Sequence, residues 1–350
     1  MLSKIRESIA IGTALPIGLG GNTLGASRHQ RKAAVRTSGL AGLVLLCVGV
    51  PVAGQSPGKP ADSPTVKLSG YLQAREVYQS KVGITSSINR ARLAASGSII
   101  EAVTWRIQGE FRTGSVGTGK ASVSLQDGYV RYAPQSWAVQ VGQFKTPFTR
   151  EYYTSLADIE TADRSTVVDS LAPKRDIGVM GEYTHRKVSL WAGVFNGEGQ
   201  NVTANTDSTM LGVGRVAVRV MPELSLAVNG ARYFGDSTRY GVDAAYEGNR
   251  VTFKGEYIGQ ARDAGVGPDD WGWYGLGAMF VIPAVQAVAK YEEFGRPSIT
   301  TAVRNRAWTA GLNVYPSGRN LRLTFDYVSR NIGEPGVRKG RLLAQVQARF

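Results

Sequence analysis

The sequence predicts an all-β fold: a transmembrane antiparallel β-barrel of about 16 strands, closed on itself, with a long third loop folded into the lumen. Three observations predict it. From Val66 to the end, short runs alternate apolar and polar side chains; each is roughly ten residues long, enough for a tilted strand to cross hydrocarbon. The links between runs sort by parity, tight after even runs and longer and polar after odd ones, as in outer-membrane barrels and unlike a soluble sandwich. Beyond the N-terminus no run of about twenty apolar residues occurs, which excludes a helical span. A barrel spreads its apolar signal thinly and is compatible with a mean hydropathy of −0.14.

The elements follow in order. Arg31, Lys32 and Arg36 precede the apolar run Leu40 to Val52, and small residues follow at Ala53 and Gly54. That is the order of a secretory signal, so residues 1–54 are expected to be a signal peptide with an extended leader. Cys47 lies within it, and Leu46 before it is too bulky for lipoprotein processing. The remaining chain has no cysteine, which excludes disulfide scaffolds and cysteine metal sites. Residues 55–65, QSPGKPADSPT, are expected to form a flexible lead-in, and residues 66–350 the barrel.

Strands are expected at 66–78, 88–99, 103–113, 123–133 and 137–145. Six more follow at 175–184, 187–196, 209–221, 224–234, 239–247 and 250–262, and five at 271–282, 285–295, 305–315, 320–330 and 338–350. Tight links include THRK at Thr184, EGNR at Glu247 and YPSGRN at Tyr315; GEGQNVTANTDS from Gly197 is a long one. The stretch from Val141 to Val179 interrupts the alternation. Pro147 ends the fifth strand because it lacks a ladder donor. Residues 154–169 have mixed helical character, and Asp158, Glu160, Asp163 and Asp169 are expected to face Arg150, Arg164, Lys174 and Arg175. The chain ends on a strand whose last residue is Phe350, an aromatic terminus typical of outer-membrane barrels.

One parity of each strand is apolar, as in Val103, Trp105, Ile107 and Phe111, and faces lipid; charges belong on the other. That assignment turns Lys67, Arg75, Arg90, Arg92, Arg106, Arg112, Arg131, Arg215, Arg219, Lys254, Lys290, Arg322, Arg330, Arg341 and Arg349 inward. Eight acids oppose them: Glu110, Asp127, Glu182, Asp243, Glu247, Glu256, Glu292 and Asp326. Asp127, in a strand that alternates poorly, is turned inward with Arg131. The lumen is therefore expected to be cationic. The whole chain carries a formal charge of +14, and without residues 1–54, which hold six basic residues and one acidic one, an excess of nine remains. Pairs such as Arg90 with Arg92, or Arg215 with Arg219, share a face about 7 or 14 Å apart. Rows of this kind select anions and phosphate, and the Arg fork matches phosphate oxygens. Part of this set is expected to pair with the inward acids and simply hold the wall.

VGQFKTPFTREYYTSLADIETADRS followed by APKRDIGVMGEY resembles the phosphate-selective porin O/P family; INRARLAASGSI and LQDGYVRY resemble its second and fourth strands. The resemblance implies an outer-membrane homotrimer of sixteen-stranded barrels, each with a basic constriction, and it makes Lys145 and Asp127 constriction candidates. Arg150, Arg90, Arg92, Arg131, Arg106, Arg215 and Arg219 complete the candidate set. The expected partners are small inorganic anions, phosphate foremost, and outer-membrane lipids, with no nucleic acid and no cofactor. The chain departs from the family in being shorter and in lacking a lysine-rich external cluster, so a broader anion channel fits equally.

Two other classes compete. A general or carbohydrate diffusion porin would use an aromatic track, for which Tyr152, Tyr153, Trp271, Trp273 and Tyr274 are available, although they also suit interfacial girdles. An enzyme would need a base beside its nucleophile, and His185, the only histidine beyond residue 54, falls in an expected tight turn without a partner.

Overall fold

The fold is described from a computed structural model covering residues 66–112, 119, 121–205, 209–263, 269–297, 302–331 and 338–350. The expected signal peptide and lead-in lie outside the described residues. Sixteen strands form: β1 (Lys67–Gln79), β2 (Gly83–Ile100), β3 (Val103–Arg112), β4 (Ser122–Tyr132), β5 (Trp137–Lys145), β6 (Arg175–His185), β7 (Val188–Phe195), β8 (Leu211–Met221), β9 (Leu224–Tyr233), β10 (Ser237–Glu247), β11 (Val251–Arg262), β12 (Asp270–Ile282), β13 (Val285–Pro297), β14 (Ala302–Arg319), β15 (Leu321–Asn331) and β16 (Arg338–Arg349). Two short helices, α1 (Arg150–Tyr153) and α2 (Thr166–Leu171), lie between β5 and β6.

Each strand pairs antiparallel with its sequence neighbours, and β1 pairs with β16 from Tyr71↔Arg349 to Gln79↔Arg341, closing the barrel. Closure leaves no open edge strand. Past the last strand residue, Phe350 donates its N–H to Gly70 O at 3.1 Å and accepts from Gly70 N at 3.0 Å, sealing the seam.

The side chains sort as the alternation predicts. On the outward parity Ile107, Phe111, Phe325 and Tyr327 are exposed, while Gln108 and Glu110 between them in β3, and Thr324 and Asp326 in β15, are buried. The poor alternation of β4 has a local cause: a bulge between Gln108↔Asp127 and Gly109↔Leu125 inserts Gln126 into the ladder. Asp127 keeps its place opposite Gln108 on the inward face.

Every even-to-odd link is one to four residues long, but so are three odd-to-even links, 80–82, 234–236 and 298–301, which were expected to be longer. Residues 80–82 join β1 to β2 and residues 234–236 join β9 to β10, each a tight turn with positive φ at Lys81 (69°) or Gly235 (86°). Strand β2 starts at Gly83 rather than residue 88 because a bulge at Asn89, between Gln73↔Arg90 and Ala74↔Ile88, breaks the alternation while Gly83 to Ile88 keep pairing with β1.

The connection from 146 to 174 is the longest between described strands. Strand β5 pairs with β4 over only Val139–Gln143. Gly142, at φ 127°, lies within that pairing opposite Tyr129; a Cβ there would sit 2.2 Å from Gly128 O, so no other residue fits the close approach. Helix α1 is capped by Thr149, whose Oγ1 accepts from Tyr152 N at 3.2 Å. Residues 154–165 are not helical, in contrast to the expected helical character there. Phe148, Val167, Val168 and Leu171 pack in one buried cluster with Ile258, Tyr274, Leu276 and Phe294 of β11–β13. That apolar contact gives the connection a fixed seat.

Candidate functional site

The connection between β5 and β6 hydrogen-bonds to strands around much of the barrel. Glu151 N donates to Glu256 Oε1 of β11 at 2.5 Å, and Ala162 N to Asp326 Oδ2 of β15 at 2.8 Å. Thr166 N and Oγ1 both donate to Glu292 of β13, at 3.0 and 2.6 Å. The wall also donates to the connection: Asn313 Nδ2 to Glu160 O and Arg322 Nη1 to Ile159 O, at 2.7 and 2.8 Å.

Its acids pair with strand residues rather than with basic neighbours in the connection. Asp158 meets Arg349 at 2.6 Å, Glu160 meets Lys254 at 2.7 Å, and Asp163 meets Arg75 at 2.8 Å and Arg341 at 3.1 Å. Of the expected internal pairs only Arg164 with Asp169 forms, at 3.9 Å. The reason is geometric. Without helical turns, residues three apart do not share a face, and this irregular stretch points its carboxylates at the wall.

With the connection's acids engaged there, cations gather at its two ends. Tyr152 Oη accepts from Arg175 N at 2.9 Å. The guanidinium of Arg164 stands 4.7 Å and the ammonium of Lys145 5.7 Å from the centre of the Tyr152 ring, each attracted by the negative ring face. Burial raises the Tyr152 phenol above its ordinary pKa, so it stays neutral beside them. Lys145 Nζ donates to the carbonyls of Tyr153 and Thr154 at 3.1 and 2.7 Å and has no carboxylate partner among the described residues. Its charged neighbours are Arg164, Arg175, Asp127 and Arg92.

Strands β2–β4 supply the rest of this group. Asp127 pairs with Arg175 at 2.8 Å and more loosely with Arg106 at 3.7 Å. Arg131, expected beside Asp127, instead pairs with Glu182 of β6 at 2.8 Å, because β5 brings Glu182 opposite Ala138 on the adjacent rung. Arg92 and Arg112 both pair with the buried Glu110. Arg90, on the same face as Arg92, reaches neutral amides, the Asn89 oxygen at 2.7 Å and Gln73 Oε1 at 3.5 Å.

The other candidates lie apart. Arg215 pairs with Asp243 at 2.6 Å, and Arg150 reaches the same carboxylate at 3.2 Å. Arg219, two rungs further along β8, joins Arg150, Arg215, Arg186 and Lys187 in lining a cavity of about 400 Å³ near the tight turns. The candidate set therefore divides into a group with Lys145, Arg90, Arg92, Arg106 and Asp127, a second with Arg150, Arg215 and Arg219, and the Arg131–Glu182 pair. Arg164, Arg175 and Tyr152 were not among the candidates. The Arg-x-Ile-Gly re-entry begins with Arg175 and was a legible signal for it; nothing local marks Arg164 or Tyr152.

The proposed aromatic track does not form one line. Tyr152 and Tyr153 belong to the connection, Trp273 is on the exposed face of β12, and Tyr274 is buried against Glu256. His185 is the last residue of β6, exposed and stacked on Tyr183, rather than part of a turn.

Comparison with known proteins places this geometry. The model of the family described as phosphate-selective porin O and P matches residues 70–221. A search of curated protein sequences returns no match. Among solved structures, the barrel is similar to OmpT, an outer-membrane protein of Vibrio cholerae, at 13% identity, covering 84% of this chain and 100% of that one with a TM-score of 0.62. It is similar to the anion-selective porin from Comamonas acidovorans at 12% identity, 82% and 100% coverage and a TM-score of 0.61. OmpF of Salmonella typhi, solved with daunomycin, aligns at 11% identity, 82% and 98% coverage and a TM-score of 0.64. At these identities the likeness concerns the fold. The family match and the fold point to an outer-membrane diffusion channel: the chain is a closed sixteen-stranded outer-membrane β-barrel whose residues 70–221 match the model of the phosphate-selective porin O and P family.

Proposed function

We propose that the chain is an anion-selective channel that passes phosphate-class anions, with the connection from 146 to 174 lying across the lumen and setting its narrowest passage. The observation that carries this reading is the imbalance of charge beside Tyr152. Lys145, Arg90, Arg92, Arg106, Arg164 and Arg175 gather around the carboxylates of Asp127 and Glu110, with Asp163 also facing Arg90, and among the described residues neither Lys145 nor Arg90 forms a direct ion pair. An anion passing there exchanges water for Arg forks and a lysine ammonium. Arg150, Arg215 and Arg219 would continue the attraction toward the tight-turn end, damped by Asp243. The family description and the anion-selective neighbour support the same substrate class. A homotrimer is part of the proposal, supported by a structural neighbour solved in a trimer form.

The test is electrical. Purified full-length protein in a planar bilayer, under a potassium chloride gradient, should give a reversal potential close to the chloride equilibrium value, and millimolar inorganic phosphate should block the chloride current. Weak selectivity with large conductance would refute the anion channel in favour of a general diffusion porin. A chloride current indifferent to phosphate would remove the phosphate assignment.

A further inference from the structure

We propose that the outward face of β12–β14, at the end of the barrel bearing the long loops, binds the phosphorylated headgroup of an anionic glycolipid in the outer leaflet. The argument starts from parity. In β14, Arg304, Arg306 and Trp308 are exposed while Ala307 and Thr309 between them are buried, so both arginines share the face of a tryptophan that meets lipid. The register carries the face across the sheet: Trp273 pairs with Glu293 and Glu293 with Arg306, while Tyr291 pairs with Trp308. Trp273, Tyr291 and Trp308 form a continuous row of tilted rings, with ring centres 5.3 and 4.4 Å apart. Amphipathic rings of this kind settle at the headgroup boundary. Arg306 and Arg304 lie beyond them toward the loop between β13 and β14, at headgroup depth.

The charge there is only half compensated. Arg304 and Arg306 share one carboxylate, Glu293, at 3.6 and 3.5 Å, and their side chains are 60% and 51% exposed. The contrast with Arg232 shows what compensation looks like: it is also outward and at the same end, but both of its terminal nitrogens meet Asp263, at 2.7 and 2.8 Å. Arg304 is also held in place, its guanidinium 5.7 Å from the Trp271 ring centre. Trp271 can lie flat at that spot because its neighbour is Gly295, where a Cβ would come within 2.8 Å of the indole. Two adjacent forks above an aromatic ledge offer a phosphate several charge-assisted bonds while the rings take the adjoining acyl or sugar surface.

The experiment uses the full chain in detergent, with bisphosphorylated lipid A and its dephosphorylated counterpart as probes and native mass spectrometry as the readout. Wild type should retain the phosphorylated probe and release the other. Arg304→Gln with Arg306→Gln should lower retention about tenfold, equivalent to losing one charge-assisted contact. Glu293→Gln, which removes the competing carboxylate, should raise it, and Arg232→Gln should leave it unchanged. Heat-modifiable migration on gels confirms that each variant is a folded barrel. Equal retention of both probes, or full retention by the double variant, would overturn the proposal. So would dissociation of an oligomer by the double variant, which would make this face a contact between copies.

Discussion

Arg90 separates selectivity from stability more cleanly than any other residue of the group beside Tyr152. Its side-chain hydrogen bonds run to neutral amides, the Asn89 oxygen at 2.7 Å and Gln73 Oε1 at 3.5 Å. Arg92, on the same face, is locked to Glu110, which is almost fully buried. Arg90→Gln should therefore cost the fold about 1–2 kcal/mol, less than breaking a buried ion pair. To a passing anion about 5 Å away, one lost charge is worth about 0.8 kcal/mol in a water-like dielectric and about 3 kcal/mol at an effective value of 20. The anion-to-cation permeability ratio should fall at least about fourfold, and by as much as two orders of magnitude if the passage excludes bulk water. Arg92→Gln removes the same charge but leaves buried Glu110 with Arg112 alone, so it should lose selectivity and also cost about 3 kcal/mol or more. Reversal potentials under a salt gradient and urea unfolding in detergent read the two quantities separately. An unchanged reversal potential for folded Arg90→Gln would refute the assignment of anion selection to this group.

Two other perturbations test the connection. Asp163→Asn, which removes the carboxylate shared by Arg75 and Arg341, should cost about 1–2 kcal/mol given its partial exposure and appear as flickering single-channel current; a steady open level would contradict its pinning role. Burial opposes ionisation of Asp163, but Arg75 and Arg341 outweigh it and hold the carboxyl below the usual range. Its contribution is therefore present above the ordinary carboxylate pKa of about 3.9 and lost as pH falls through the lower native value, so wild-type flicker should begin only below about pH 4. Gly142→Val should block assembly, because the side chain meets Gly128 O and the backbone at φ 127° disfavours any L residue; a heat-modifiable folded band from this variant would disprove the close-approach argument.

The wall of the barrel was legible residue by residue. Alternation placed all sixteen strands, including the inward Arg90, Arg92, Glu110 and Asp127, because a strand's two faces meet two solvents and the sequence must record which is which. It failed at two bulges, at Asn89 in β2 and at Gln126 in β4, each of which shifts the period by one.

The candidate site was legible only in its ingredients. Sequence by itself determined that basic residues outnumber acids on the inward parity and that the chain between β5 and β6 is too long and irregular for a hairpin. Only the tertiary structure decided which charges cancel. Asp163 found Arg75 and Arg341, Arg131 found Glu182, and Asp127 found Arg175, in every case across elements far apart in the chain. Strand periodicity is a local property, set by each residue's own neighbours, whereas an ion pair is set by where a non-repeating connection comes to rest, and that depends on the packing of Phe148, Val167 and Leu171 against strands more than eighty residues away.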